Sequence, residues 1–180
     1  MHLMRGLLTG IVILSIMVVI FYNGFISRRN AMRNAFASID VQLKRRWDLI
    51  PNLVETVKGF ASHEREVLEA LVGARRAEPG SRERFSREGE VSAGLGRLLA
   101  VAEGYPELRS SEHFLILQRN LTEVESQISA SRRAYNAAVT DWNNGVEGFP
   151  GVIFARVFDF ERADWFEVVA PERNNVEVNL

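Results

Sequence analysis

The chain has 180 residues with 22 Lys and Arg against 23 Asp and Glu, and it contains no cysteine. The missing cysteine excludes disulfides, Cys-ligated zinc, thiol catalysis and a lipoprotein anchor. The formal charge of −1 lacks the basic excess that phosphate-backbone binding uses, so no nucleic-acid partner is expected.

Residues 1–5 form a short flank carrying Arg5, and residues 6–27, Gly6 to Ser27, carry no charge. At about 1.5 Å rise per residue that run makes a helix of roughly 33 Å, against a hydrocarbon core of about 30 Å. A secretory signal peptide would share the basic start. The run leaves through Phe21, Tyr22, Asn23, Gly24, Phe25 and Ile26, however, without the small-residue pattern that cleavage needs, so an uncleaved transmembrane anchor is expected. Tyr22 and Phe25 suit an interfacial aromatic belt, and Arg28, Arg29 and Arg33 form a lipid-facing basic flank able to snorkel to phosphate level. Arg28, Arg29, Arg33, Lys44, Arg45 and Arg46 outnumber Arg5 and the amino terminus. The positive-inside bias therefore places the following domain on the cytoplasmic side of the inner membrane.

Residues 28–150 are predicted to form one helical domain, with Pro51, Pro79, Pro106 and Pro150 at the edges of its apolar patterns. Met32, Phe36, Ile39, Leu43 and Trp47 step by three or four, which predicts an amphipathic helix continuous with the span. A second helix is expected from Asp48 as N-cap, with Pro51 in its first turn, running to about Arg76. Its apolar face holds Ile50, Leu53, Val54, Val57, Phe60, Val67, Leu68 and Leu71. Glu78 to Ser81 breaks it, and a polar connection leads to a shorter helix with Val91, Leu95, Leu98, Leu99 and Val101 that ends at Gly104. The last helix, Ser111 to Glu147, is the most regular. Phe114, Leu121, Ile128, Tyr135 and Trp142 recur every seven residues, with Leu117, Val124, Ser131, Ala138 and Gly145 between them. This heptad seam spans roughly 55 Å and its small residues allow close approach at one end. The predicted fold class is therefore all-α: an N-terminal transmembrane helix followed by an antiparallel four-helix bundle of long, coiled-coil-like helices. Residues 151–180 form an aromatic and acidic tail. Part of it should dock on the bundle, and its last ten or so residues are expected to be disordered.

No constellation of catalytic residues emerges. A di-iron bundle needs Glu-x-x-His pairs, yet Phe60 and Ser110 stand three residues before His63 and His113. The residue four after His63 is Val67, so no zincin motif forms. Ser62 and Ser110 to Ser111 lack an elbow motif, Gly94 and Gly96 begin no phosphate loop, and Asn120-Leu121-Thr122 is a sequon inside a helical pattern. Tyr135 and Trp142 fit core positions. No cofactor, metal or small-molecule substrate is expected. The candidate interaction surface combines Asp40, Lys44, Arg45 and Arg46 with Phe158, Phe160 and Trp165 of the tail. Asp40 and Lys44 form an i, i+4 pair worth only a few tenths of a kcal/mol.

Ile39 to Glu64 reads IDVQLKRRWDLIPNLVETVKGFASHE behind a membrane helix that ends in Tyr22-Asn23 and Arg29-Asn30. Ala100 to Leu108 reads AVAEGYPEL, Arg132 to Asn136 reads RRAYN, and Leu117-Gln118, Glu125, Asn143 and Phe149-Pro150 complete the set. In these segments the chain resembles the LemA family over nearly its whole length. Phe36 and Trp47 stand where that family often has Trp and Tyr. The resemblance implies a membrane anchor and an antiparallel four-helix bundle, with no established catalytic residue or cofactor. Anchor, bundle and missing catalytic set together predict a non-enzymatic membrane scaffold or adaptor, whose partners are the lipid bilayer and other membrane proteins or further copies of itself. The alternative expectation is a membrane-tethered sensor or enzyme with a pocket between helices.

Overall fold

The structure, a computed structural model of the 180-residue chain, describes residues 2–60 and 88–166. All regular elements among them are helices: α1 His2–Lys58, α2 Glu88–Glu103, α3 Pro106–Ser110, α4 Glu112–Glu147 and α5 Gly151–Val157. The predicted helix path through residues 61–76, the break at 78–81 and the final residues of the tail lie outside the described residues.

Helix α1 has 57 residues, and its expected break near Asp48 does not occur. Asp48 is an exposed mid-helix residue and caps nothing, while Pro51 sits in the helix interior. A proline there costs about 3 kcal/mol, through a lost amide donor and a ring that crowds the preceding turn. Ile39, Leu43, Trp47, Ile50, Leu53, Val54 and Val57 nevertheless continue one stripe across it, each almost fully buried. Every such side chain contributes about 1.5–3 kcal/mol, so the unbroken stripe outweighs the proline. Phe60, expected on this face, lies beyond the helix end and is 41 % exposed.

The chain divides into two compact units, Asn34–Arg133 and Met1–Arg33 with Ala134–Leu180. In the first, Trp47, Ile50, Leu53, Val54 and Val57 of α1 pack with Val91, Leu95, Leu98 and Ala102 of α2, Leu108 of α3, and Phe114 and Leu121 of α4. The heptad positions Phe114, Leu121, Val124 and Ile128 are buried, as their spacing requires. Pro106 stands at the start of α3, where its missing N–H costs nothing.

In the second unit a smaller core gathers Phe25 of α1, Trp142 and Val146 of α4, and Ala155 of α5, with Met32, Phe154, Phe160 and Ala163 packed against it. The apolar stretch of α1 contrasts sharply with this core, because Leu7, Ile11, Leu14, Val19 and Ile20 are each more than half exposed. It forms part of a helix long and apolar enough to cross a membrane.

Candidate functional site

The second unit holds a cluster of aromatic rings. Phe25 meets Trp142 edge-on at 5.8 Å, and Phe160 lies 5.0 Å from Phe25 and 5.5 Å from Trp142. Phe21 stacks flat on Phe154 at 4.6 Å, and Tyr22 tilts against Phe158 at 5.2 Å. Edge and offset contacts of this kind add about 0.5–1.5 kcal/mol each beyond burial. Phe158 and Phe160 are thus half-buried, whereas Trp165 is 46 % exposed. Glycines allow the approach: a Cβ on Gly151 would collide with the Gly145 carbonyl oxygen, and one on Gly145 would touch the Arg28 stem and the Phe25 ring. The smallest seam position, Gly145, therefore lies where α5 meets α4.

From Phe160 to Phe166 the chain forms no helix, so its backbone groups need other partners. Side chains of α4 supply them. Asn143, 3 % exposed, donates its amide to the Ala163 carbonyl at 3.0 Å and accepts the Ala163 N–H at 2.9 Å. Asn136 does the same with Phe166, at 3.2 Å and 2.8 Å. A carboxamide carries one donor face and one acceptor face, as a peptide unit does. The spacing matches as well: seven helical residues rise about 10.5 Å, and three extended residues span about 10 Å. Trp142 Nε1 donates to the Glu161 carbonyl at 2.8 Å, Trp165 Nε1 to Thr140 Oγ1 at 3.1 Å, and Tyr135 Oη to the Asp164 carbonyl at 3.4 Å. Burial first, then the Asp164 charge, raises the Tyr135 pKa above the ordinary tyrosine value.

In the first unit the structure separates the predicted basic surface. Lys44 and Arg45 are exposed, and Arg45 reaches Gln42 Oε1 at 3.5 Å. Asp40 is half-buried and engaged. Arg46 is fully buried, so it is no part of an exposed surface. Its Nη1 donates to Glu125 Oε1 at 2.9 Å and Ser92 Oγ at 3.1 Å, with Glu88 Oε1 at 3.8 Å. Arg132 pairs with the same Glu88, and burial, then the Arg46 charge, lowers its pKa. Two guanidinium groups and two carboxylates thus tie α1, α2 and α4 together. Elsewhere on the first unit an open cleft of about 320 Å³ is lined by Arg45, Asp48, Leu49, Asn120, Glu123 and Val124. Among the described residues no group of three His, Asp or Glu side chains is placed to hold a metal ion. Arg28 and Arg29 are exposed at the end of the apolar stretch, as is Arg33 one turn further on.

The model of the LemA family matches residues 35–180. The chain belongs to the LemA family. It is 24 % identical over 200 residues to magnetosome protein MamQ 2 of Paramagnetospirillum magneticum, covering 91 % of this chain and 74 % of that protein. It is also 23 % identical over 171 residues to protein LemA of Metamycoplasma hominis, covering 89 % and 78 % respectively.

In this LemA-family chain the residues that sequence reasoning missed are Asn136 and Asn143, noted only as family matches. The available signal was a repeated aromatic–Asn pair, Tyr135-Asn136 and Trp142-Asn143, at heptad spacing. Arg46 was missed as a core residue because its neighbours Lys44 and Arg45 are also basic, and its partner Glu125 lies 79 residues away.

Proposed function

We propose that this LemA-family protein is a membrane-anchored, non-enzymatic scaffold or adaptor, with an N-terminal transmembrane helix and an antiparallel four-helix bundle on the cytoplasmic side of the inner membrane. The observation that carries the proposal is the exposed apolar stretch of α1: Leu7 is 67 % and Ile20 63 % exposed, while the same helix buries its apolar stripe from Ile39 to Val57. Uncovered, a stretch of this length is costly in water, and a bilayer removes that cost. Sharing of Glu88 by Arg46 and Arg132 supports a rigid bundle rather than a reaction centre, since each charge has a structural counter-charge. The test is crosslinking in native membranes followed by detergent extraction: a scaffold gives discrete adducts with membrane proteins or with itself, and recovery of monomer alone counts against it. A single Ser126→Cys, exposed on α4, labelled by an impermeant maleimide only after lysis, supports the cytoplasmic side. Labelling of intact cells reverses the orientation.

The second reading, a tethered sensor or enzyme, rests on the cleft at Arg45 and Asp48. A ligand-induced rise in melting temperature that Arg45→Ala abolishes would favour it.

A further inference from the structure

The exposed face of α5 matches no role assigned above. Phe149 just before the helix is 85 % exposed, and Ile153 and Val157 within it are 53 % and 72 % exposed. The four-residue spacing of Ile153 and Val157 puts them on one side of the helix, and Phe149 lies in the turn that leads into it. The opposite side is held fast, with Ala155 3 % exposed and Gly151 against Gly145. Position decides what covers the open side. Phe154 of α5 stacks on Phe21, and Phe158 at its end meets Tyr22, so α5 lies beside the last turns of the apolar stretch of α1. Phe21 precedes Ser27, the end of that stretch, by about 9 Å of helix rise. An interfacial helix sinks about 5–10 Å into the boundary between headgroups and acyl chains. Exposed Arg28 and Arg29 above offer cations at the height of lipid phosphates, and the stem of exposed Arg156 on α5 is long enough to snorkel toward that height.

We propose that α5 is an interfacial lipid-binding helix. Phe149, Ile153 and Val157 enter the same leaflet that α1 enters, so the protein holds its membrane at two points and fixes its tilt and rotation. This inference rests on the anchor reading, because the depth of α5 is measured from the span.

The test uses the full chain, which has no native cysteine, in bilayers of phosphatidylethanolamine and phosphatidylglycerol. Ile153→Cys, Val157→Cys and, in the span, Ile13→Cys are each labelled with a polarity-sensitive fluorophore. The expected result is blue-shifted emission at 153 and 157, with loss of most intensity to lipids spin-labelled high on the acyl chain and little loss to aqueous iodide. Ile13→Cys should respond to lipids labelled deep in the chain. If position 13 is quenched by lipid but 153 and 157 only by iodide, the interfacial helix is overturned and the anchor stands. If position 13 is not quenched by lipid, the anchor reading falls and the inference with it. Labels at 153 and 157 shielded from both quenchers, with crosslinks between copies, would assign the face to a second copy and overturn the lipid proposal.

Discussion

Asn143→Ala tests how the extended segment is held. The substitution removes two hydrogen bonds, to the N–H and the C=O of Ala163. Each contributes about 0.5–1.5 kcal/mol net, and half-buried Ala163 lets water restore part of the loss, so about 2 kcal/mol is expected. That raises the undocked fraction of residues 160–166 roughly 30-fold, at 1.4 kcal/mol per factor of ten. The assay is residue-resolved amide exchange on the full chain in nanodiscs. In the wild type the Ala163 and Phe166 amides exchange slowly, and in Asn143→Ala both accelerate by roughly the same factor, because one docking equilibrium governs them. Asn143→Asp keeps the acceptor for the Ala163 N–H and loses the donor to its carbonyl, so it falls between. Asn136→Ala combined with Asn143→Ala gives less than the sum, since both grip one segment. Unchanged exchange at Ala163 in Asn143→Ala would refute the clamp.

Arg46→Ala takes the guanidinium partner from Glu125 and opens a void in the core, while Glu88 keeps its pair with Arg132. The cost is about 2–4 kcal/mol in chemical denaturation, reduced from the fully buried case because Glu125 is half exposed. Exposed Arg45→Ala stays within about 0.5 kcal/mol. Gly151→Val forces a Cβ into the Gly145 carbonyl and pushes α5 away. Loss of the Trp142 fluorescence environment at a cost of about 1–3 kcal/mol would report it, and unchanged emission would contradict the close approach. Phe25→Ala removes a ring that is 1 % exposed and costs about 3–5 kcal/mol by urea unfolding. The raised pKa of Tyr135 means that the folded state keeps a proton which the unfolded chain releases near pH 10. Its stabilising contribution is complete below that value and is lost as pH rises through the folded pKa. Tyrosinate absorbance and segment docking should change together, and Tyr135→Phe should remove the shared step.

Helix α4 was legible almost to the residue, expected from Ser111 and observed from Glu112, because an apolar seven-residue repeat is long enough to mark one helix. Phe114, Leu121, Ile128 and Trp142 of that repeat are buried, whereas Tyr135 is only half-buried and Val139 and Val146, outside the repeat, are buried too. The boundary placed at Asp48 failed for a physical reason: local capping and proline rules compete with a stripe that keeps phase through Pro51, and tertiary burial is the larger quantity. Helix α5 was unreadable, since seven residues are too few to display a period. The rings Phe154, Phe158 and Phe160 of the tail meet Phe21, Tyr22, Phe25 and Trp142, which no local pattern links to them. The charge at Arg46 shows the same limit, because only the fold distinguishes it from Arg45.

Membrane integration of the intact chain tests the account most directly. Isolated membranes are washed with alkaline carbonate, and the chain is followed in pellet and supernatant beside a variant with Ile11→Arg, Leu14→Arg and Met17→Arg. Retention of the wild type in the pellet and release of the variant is the predicted result. Release of the wild type would contradict the anchor on which the function proposed here depends.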